Sequence, residues 1–250
     1  MLNQIIKLTQ QAGELAEKLK INLQKKVKID GSTVTNADVE VESLLIEGIR
    51  NCFGAQTQVL SEELVDSSLQ TTIDTTKGYW LLDPIDATAS YANGKPDYCI
   101  NIAYIENNTI EIGVIASPTE NAIWYAVKGK GAFKLKDNVL QQIFVRQIPA
   151  NPVAVTSKKG HQLTAETRRK LNIQEEVVIS SALKFCYLAE GKADYYFRQR
   201  NYAKSWDVAS GILIVEEAGG TVEFIDEDRA SYDFSLAPYL APSMLISGKK

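Results

Sequence analysis

The sequence predicts an α+β protein in which a helical N-terminal segment and a sheet-rich middle are followed by a second, alternating α/β unit. Three observations carry this. Apolar residues near the N-terminus recur at helical spacing. Between about residues 79 and 127 they come in short runs and alternations separated by turn residues. Beyond about residue 145, short β-branched runs alternate with helical patterns.

The elements follow in order. Ile5, Leu8, Ala12, Leu15, Ala16 and Leu19 stripe a first helix, with Lys7, Gln11, Glu14 and Lys18 between them. A lysine-rich stretch and the turn Asp30-Gly31-Ser32 come next. Thr35 reads as the N-cap of a second helix, with Asp38 in its first turn and Val41, Leu44, Leu45 and Ile49 as its apolar stripe. Gly54 is its stop. Tyr79-Trp80-Leu81-Leu82-Asp83 is a strand ending in a carboxylate. Ile100, Ile102 and Tyr104, then Ile110, Ile112 and Val114, alternate about the turn Glu106-Asn107-Asn108 and read as a hairpin. Ile123 to Val127 is another strand. Val153-Ala154-Val155 and Val177-Val178-Ile179 are short strands, and Leu163–Leu171, Leu183–Ala189 and Val208–Glu217 are helical. The linker falls at Gln147-Ile148-Pro149-Ala150-Asn151-Pro152, dividing the chain into subdomains 1–146 and 147–250.

The chain has 250 residues, 45% of them hydrophobic, and 27 basic against 31 acidic residues give a net charge of −4. Such a composition fits a globular protein and excludes a disordered tail or a collagen-like rod. The acidic balance disfavours a nucleic-acid binder. Cys52, Cys99 and Cys186 are odd in number and widely spaced, so they read as reduced, mostly buried thiols. The sequence has no apolar run of 18 residues and no basic N-terminal region before an apolar block. A cytoplasmic location is the expectation. Lys18, Lys20, Lys25, Lys26 and Lys28 read as a solvated face, with peripheral contact at the inner face of the cell membrane as the alternative.

The chemistry concentrates at Asp83-Pro84-Ile85-Asp86-Ala87-Thr88. Two carboxylates at a strand end can converge on a hard cation, with the Ile85 carbonyl adding a neutral oxygen. Two ions need a shared carboxylate, and Asp83 is the natural bridge. The bland reading is a turn. Ser61-Glu62-Glu63 follows another apparent strand end, and Asp207 opens a helix that it could simply cap. If a helix starts at Thr88, the N–H groups of Ala87 and Thr88 can hold an anion.

Together, Ser61-Glu62-Glu63, Asp83-Pro84-Ile85-Asp86-Ala87-Thr88 and Trp206-Asp207-Val208-Ala209-Ser210-Gly211 resemble the inositol monophosphatase superfamily of Mg²⁺-dependent, lithium-sensitive phosphatases, over roughly residues 1–222. Val34-Thr35-Asn36-Ala37-Asp38, Tyr98-Cys99-Ile100-Asn101-Ile102-Ala103 and Ser180-Ser181-Ala182-Leu183-Lys184-Phe185-Cys186 look most like its bacterial 3′(2′),5′-bisphosphate nucleotidase group, CysQ. The resemblance implies a layered αβαβα fold of the inositol monophosphatase/fructose-1,6-bisphosphatase type, with the site between two subdomains. It implies hydrolysis of the 3′-phosphate of adenosine 3′,5′-bisphosphate, and in some members of the phosphosulfate form. Glu62, Asp83 and the Ile85 carbonyl match ligands of a first Mg²⁺, and Asp83, Asp86 and Asp207 those of a second. A third, weaker ion is common near Glu62. Asp38 and Thr88 match a pair that orients and activates water, with Glu62 as another proton acceptor, and the amides of Ala87 and Thr88 match a phosphate cradle. Lys184, Ser181, Lys158 and His161 are candidate substrate contacts, against the plainer readings of a solvated lysine and a surface histidine. Tyr195, Tyr196, Phe197, Tyr202 and Trp206 read as core, with adenine stacking as the alternative.

The sequence departs from the family pattern at Ala87, where glycine is common; a positive φ there costs alanine about 1 kcal/mol. Three alternatives stay open: an inositol monophosphatase, a broad small-molecule phosphatase of the same superfamily, and, more remotely, a non-catalytic metal-binding regulator. Monomer and homodimer are both open.

Overall fold

The computed structural model describes residues 1–28, 31–66, 72–157, 164–198, 203–225, 232–237 and 239–249. Helix α1 (Leu2–Leu19) leads to a small hairpin of β1 (Lys25–Val27) and β2 (Thr33–Thr35), then to α2 (Asn36–Phe53). Strand β3 (Gln58–Ser61) runs directly into the short helix α3 (Glu62–Asp66). Next come β4 (Tyr79–Asp86), α4 (Thr88–Ala92), β5 (Cys99–Glu106), β6 (Thr109–Ser117), β7 (Ala122–Val127), β8 (Ala132–Lys136) and β9 (Val139–Ile143). Strands β3 to β9 form one seven-stranded sheet in chain order. Only the β3–β4 pair is parallel; each later pair is antiparallel.

The rest of the chain is β10 (Val153–Thr156), α5 (Ala165–Lys170), β11 (Glu175–Val178), α6 (Leu183–Ala189), β12 (Tyr195–Arg198), α7 (Ser205–Glu217), β13 (Thr221–Phe224) and β14 (Met244–Ser247). Its five strands are ordered β11-β10-β12-β14-β13.

The central strands are apolar on both faces because both are covered. Trp80, Leu82, Ile100, Ile102, Val114 and Tyr125 pack with Ile5, Val41, Leu45 and Ile49 of α1 and α2. Their neighbours Leu81, Ala103, Ile105, Ile115 and Trp124 face the other way, into a core shared with α6, α7 and the smaller sheet through Phe185, Ile212, Val155 and Ile246. The far face of that sheet buries Ala154, Ile173 and Tyr195. This is the expected αβαβα layering. Helix α7 lies across β5, β6 and β7, close enough that a Cβ on Gly113 would meet the Ser210 carbonyl at 2.7 Å. A Cβ on Gly211 would strike the Phe185 ring at 2.2 Å, so the glycine of the Trp-Asp motif is there for helix packing.

Some expectations shift. The helix expected over Leu163–Leu171 is the shorter α5, and α7 starts three residues before Val208. Strands β1, β2, β8 and β9 were not evident in the sequence. Their side chains are largely exposed or half-buried, so their alternation is weak. Tyr195, Tyr196 and Trp206 are buried, as core packing requires, while Tyr202 lies outside the described residues. Cys99 and Cys186 are buried thiols and Cys52 is exposed. Among the described residues no helix is long and apolar enough to cross a membrane.

Candidate metal and phosphate site

Strand β4 carries the centre of the site, and a local irregularity arranges it. Asp83 pairs with Asn101 but Asp86 pairs with Cys99, so three steps along β4 match two along β5. Pro84 lies in this break and has no N–H to give the ladder. In a regular strand, residues three apart point to opposite faces. One extra residue reverses that parity and returns Asp83 and Asp86 to the same side. The chain then turns through Ala87, at φ 68° and ψ 48°, into α4. The left-handed conformation that penalises alanine is therefore the one this turn uses.

Asp83 is 1% exposed, and its Oδ1 is buried without a hydrogen-bond partner. Burial, then the charges of Glu62, Asp86, Asp207 and Asp38, push its carboxyl well above the usual range. Burial and Asp86 raise Asp207 to about 6, although Arg198 opposes this. Burial lifts Glu62 to about 8, with Lys28 opposing and Asp207 reinforcing the rise. Carboxylates from β4, α3, α2 and the start of α7 thus act on one another. An orphaned oxygen among hard oxygen donors fits a divalent cation.

Protein donors meet the other acids. Lys28 Nζ lies 3.1 Å from Glu62 Oε1 and 2.7 Å from Glu63 Oε1. Asp86 Oδ2 accepts the Ala182 N–H and lies 3.4 Å from Asn101 Nδ2. Asp207 Oδ2 accepts the Lys204 N–H at 2.9 Å, so Asp207 also caps its helix. With the acids turned to these donors, no three His, Cys, Asp or Glu side chains among the described residues close around a common point.

On the other side, Thr35 caps α2 and donates through N–H and hydroxyl to Asp38 Oδ2 at 2.7 and 2.6 Å. Asp38 Oδ1 then faces the Thr88 hydroxyl at 3.0 Å, and the Ile85 carbonyl is also 3.0 Å from that hydroxyl. Thr88 has one proton, so it donates to one of them at a time and keeps lone pairs for an incoming donor.

Lys184 is not solvated. It is 2% exposed, donates to the carbonyls of Ile179 (3.1 Å) and Ser181 (2.6 Å), and lies 5.5 Å from the Tyr196 ring centroid. Burial lowers it to about 8, with Asp86 opposing that shift. Ser181 is buried, and its hydroxyl accepts the Leu183 N–H at 3.3 Å. Lys158 and His161 lie outside the described residues.

Sequence reasoning missed two cations. Arg198 is 7% exposed; it donates to the Tyr196 hydroxyl at 2.9 Å and reaches 3.8 Å from Asp207 Oδ2. It stood inside an aromatic-rich stretch, where packing was the stronger signal. In the sequence Lys28 reads as part of a solvated lysine face, but its side chain is only 12% exposed. Its place within a turn that reaches the Glu62-Glu63 pair was invisible in one dimension.

The profile of the inositol monophosphatase family matches residues 1–246. The chain is 33% identical over 228 residues to the 3′(2′),5′-bisphosphate nucleotidase CysQ of Salmonella typhimurium, covering 89% of each chain. It is 32% identical over 237 residues to Nus factor SuhB of Pasteurella multocida, covering 89% of this chain and 84% of the other. The fold superposes on the Thermotoga maritima IMPase with TM-score 0.79 and 25% identity, over 98% of this chain and 91% of that one. CysQ and SuhB relatives are near-equal in similarity, so the subgroup expected from the sequence is not singled out. The family profile spans nearly the whole chain and these relatives match 89% of it, and on that ground the chain belongs to the inositol monophosphatase family.

Proposed function

We propose that the protein is a Mg²⁺-dependent phosphoric monoester hydrolase acting on a small phosphorylated molecule. The observation that carries this reading is buried Asp83, whose Oδ1 lacks a hydrogen-bond partner and whose carboxyl is pushed up by burial and by the charges of Glu62, Asp86 and Asp207. Glu62, Asp83 and the Ile85 carbonyl would hold one ion, and Asp83, Asp86 and Asp207 a second. When bound, Mg²⁺ neutralises phosphate charge and makes water a better nucleophile at neutral pH. The N–H groups of Ala87 and Thr88 bind phosphate oxygens. Thr88 Oγ1 orients the attacking water, and Asp38 Oδ1 accepts its proton through that hydroxyl. The water oxygen bonds to phosphorus as the ester P–O bond breaks, and the leaving alkoxide is protonated to an alcohol. The site lies where subdomains 1–146 and 147–250 meet.

One observation favours a narrower second reading, a 3′(2′),5′-bisphosphate nucleotidase. Lys184 and Arg198 are two buried cations beside Asp86 and Asp207. Buried cations of this kind recognise phosphate, and a bisphosphate brings a second phosphate beyond the one over the metals. The test is phosphate release from adenosine 3′,5′-bisphosphate and inositol 1-phosphate, side by side, with Mg²⁺ or EDTA. Release from either that EDTA abolishes supports the hydrolase, and release from neither overturns it. A higher kcat/KM for the nucleotide that Lys184→Met removes supports the second reading. Equal or better use of inositol phosphate leaves the broader phosphatase.

A further inference from the structure

We infer that Glu42 is a positioning residue for Glu62, holding from α2 the turn that presents Glu62 to the site. The inference rests on the reading of Glu62 as a metal ligand. Glu42 follows Asp38 by one helical turn on the same face of α2. It is 6% exposed, and its Oε1 gathers three donors from one short segment. These are the Ser61 hydroxyl, the Glu63 N–H at 3.0 Å and the Leu64 N–H at 3.3 Å. They flank Glu62 on both sides and fix the backbone as β3 passes into α3.

A purely structural account would make Glu42 a remote cap for α3. That helix has only five residues, Glu62–Asp66, and its apolar side chains Leu64 and Val65 are half-buried against the two cores. Burying a carboxylate is costly, and two half-buried side chains are a small return for it. What the three bonds do fix is the direction of Glu62. On this account one face of α2 orients both flanks of Asp83: Asp38 holds Thr88, and Glu42 holds Glu62. Glutamine can keep all three bonds through its amide oxygen, whereas alanine keeps none.

The experiment measures Mn²⁺ affinity of metal-stripped protein by calorimetry or electron paramagnetic resonance, alongside circular dichroism. Glu42→Ala is expected to weaken Mn²⁺ binding by about tenfold or more, as loss of a ligand-orienting partner does, while Glu42→Gln stays within about threefold of wild type. The Mg²⁺ needed for half-maximal activity should rise in step, with substrate KM at saturating Mg²⁺ unchanged. A folded Glu42→Ala with wild-type Mn²⁺ affinity overturns the inference, and so does a Glu42→Gln as impaired as Glu42→Ala. If Glu42→Ala does not fold, Ser61→Ala decides. It removes one of the three donors and should weaken Mn²⁺ about threefold; unchanged affinity overturns the role. Wild-type protein that binds no Mn²⁺ fails differently: it removes the metal reading, and this inference with it.

Discussion

Two groups of buried or half-buried charge in this molecule are built in opposite ways. At one end of the core, Glu190 accepts the Trp124 indole N–H at 2.8 Å and meets Lys134 at 3.0 Å and Lys192 at 3.1 Å. Burial pushes its carboxyl up, but Lys134 and Lys192 outweigh that and hold it below the usual range. Around Asp83 acids face acids, and burial and repulsion both push upward. The first arrangement ties β7 and β8 to the end of α6 and holds the fold together. The second destabilises the metal-free chain, and its use is to be relieved by a cation. A balanced buried charge speaks of stability and an unbalanced one of ligand binding.

Removing the centre of the unbalanced cluster should have the largest effect. Asp83→Asn is expected to lower turnover by at least about a thousandfold. The same change should raise the stability of metal-free protein by about 1 kcal/mol, because it removes a charge repelled on several sides. Phosphate release and urea unfolding in EDTA check the two halves. Activity and stability falling together would erase the contrast with Glu190.

Mg²⁺ should stabilise the wild-type fold by about 2.7 kcal/mol at a hundredfold excess over its Kd, and Asp83→Asn by much less. Thermal melts with and without the ion read this directly. Equal shifts in both proteins would place the ion elsewhere.

At the balanced end, Glu190→Gln should cost about 2 kcal/mol near pH 7, because it leaves Lys134 and Lys192 without their carboxylate. The folded pKa of Glu190 lies below its ordinary 4.5. Its contribution is therefore complete above the unfolded value and fades as pH falls through the folded one. Wild type and variant should converge in urea titrations at the acid end. A gap independent of pH would mean that packing rather than charge is lost.

The smallest effect belongs to the backbone. Ala87→Gly should stabilise the protein by about 1 kcal/mol, since the site holds alanine at φ 68°. An unchanged or lowered melting temperature would show that the methyl contacts compensate.

Much of this was legible in the sequence because element ends carry their own signals. Thr35 with Asp38 announced α2, and the apolar run into Asp83-Pro84 announced β4. Helix α6 has the predicted limits, Leu183–Ala189, because apolar residues fill it on either side of Lys184. Edge strands such as β9 were hidden, since four of its five side chains are exposed and obey no single burial pattern. At the site, carboxylates at strand and helix ends could be named one by one. Their partners could not. Glu42 and Arg198 are mid-pattern residues whose meaning comes from Ser61 and Asp207, 19 and 9 positions away in the chain. Only the fold brings those together.

The middle layer of the sandwich has a consequence for synthesis. Helix α7 covers a face of the large sheet whose strands all precede residue 144, yet α7 itself begins at Ser205. While the ribosome is still adding the intervening residues, Leu81, Ala103, Ile115 and Trp124 lack α7 to cover them. The nascent chain carries a sticky sheet surface through that interval, and such surfaces recruit chaperones or aggregate. Asp207 arrives with the helix that ends the exposure, so the last of the clustered acids joins only as the sheet is sealed.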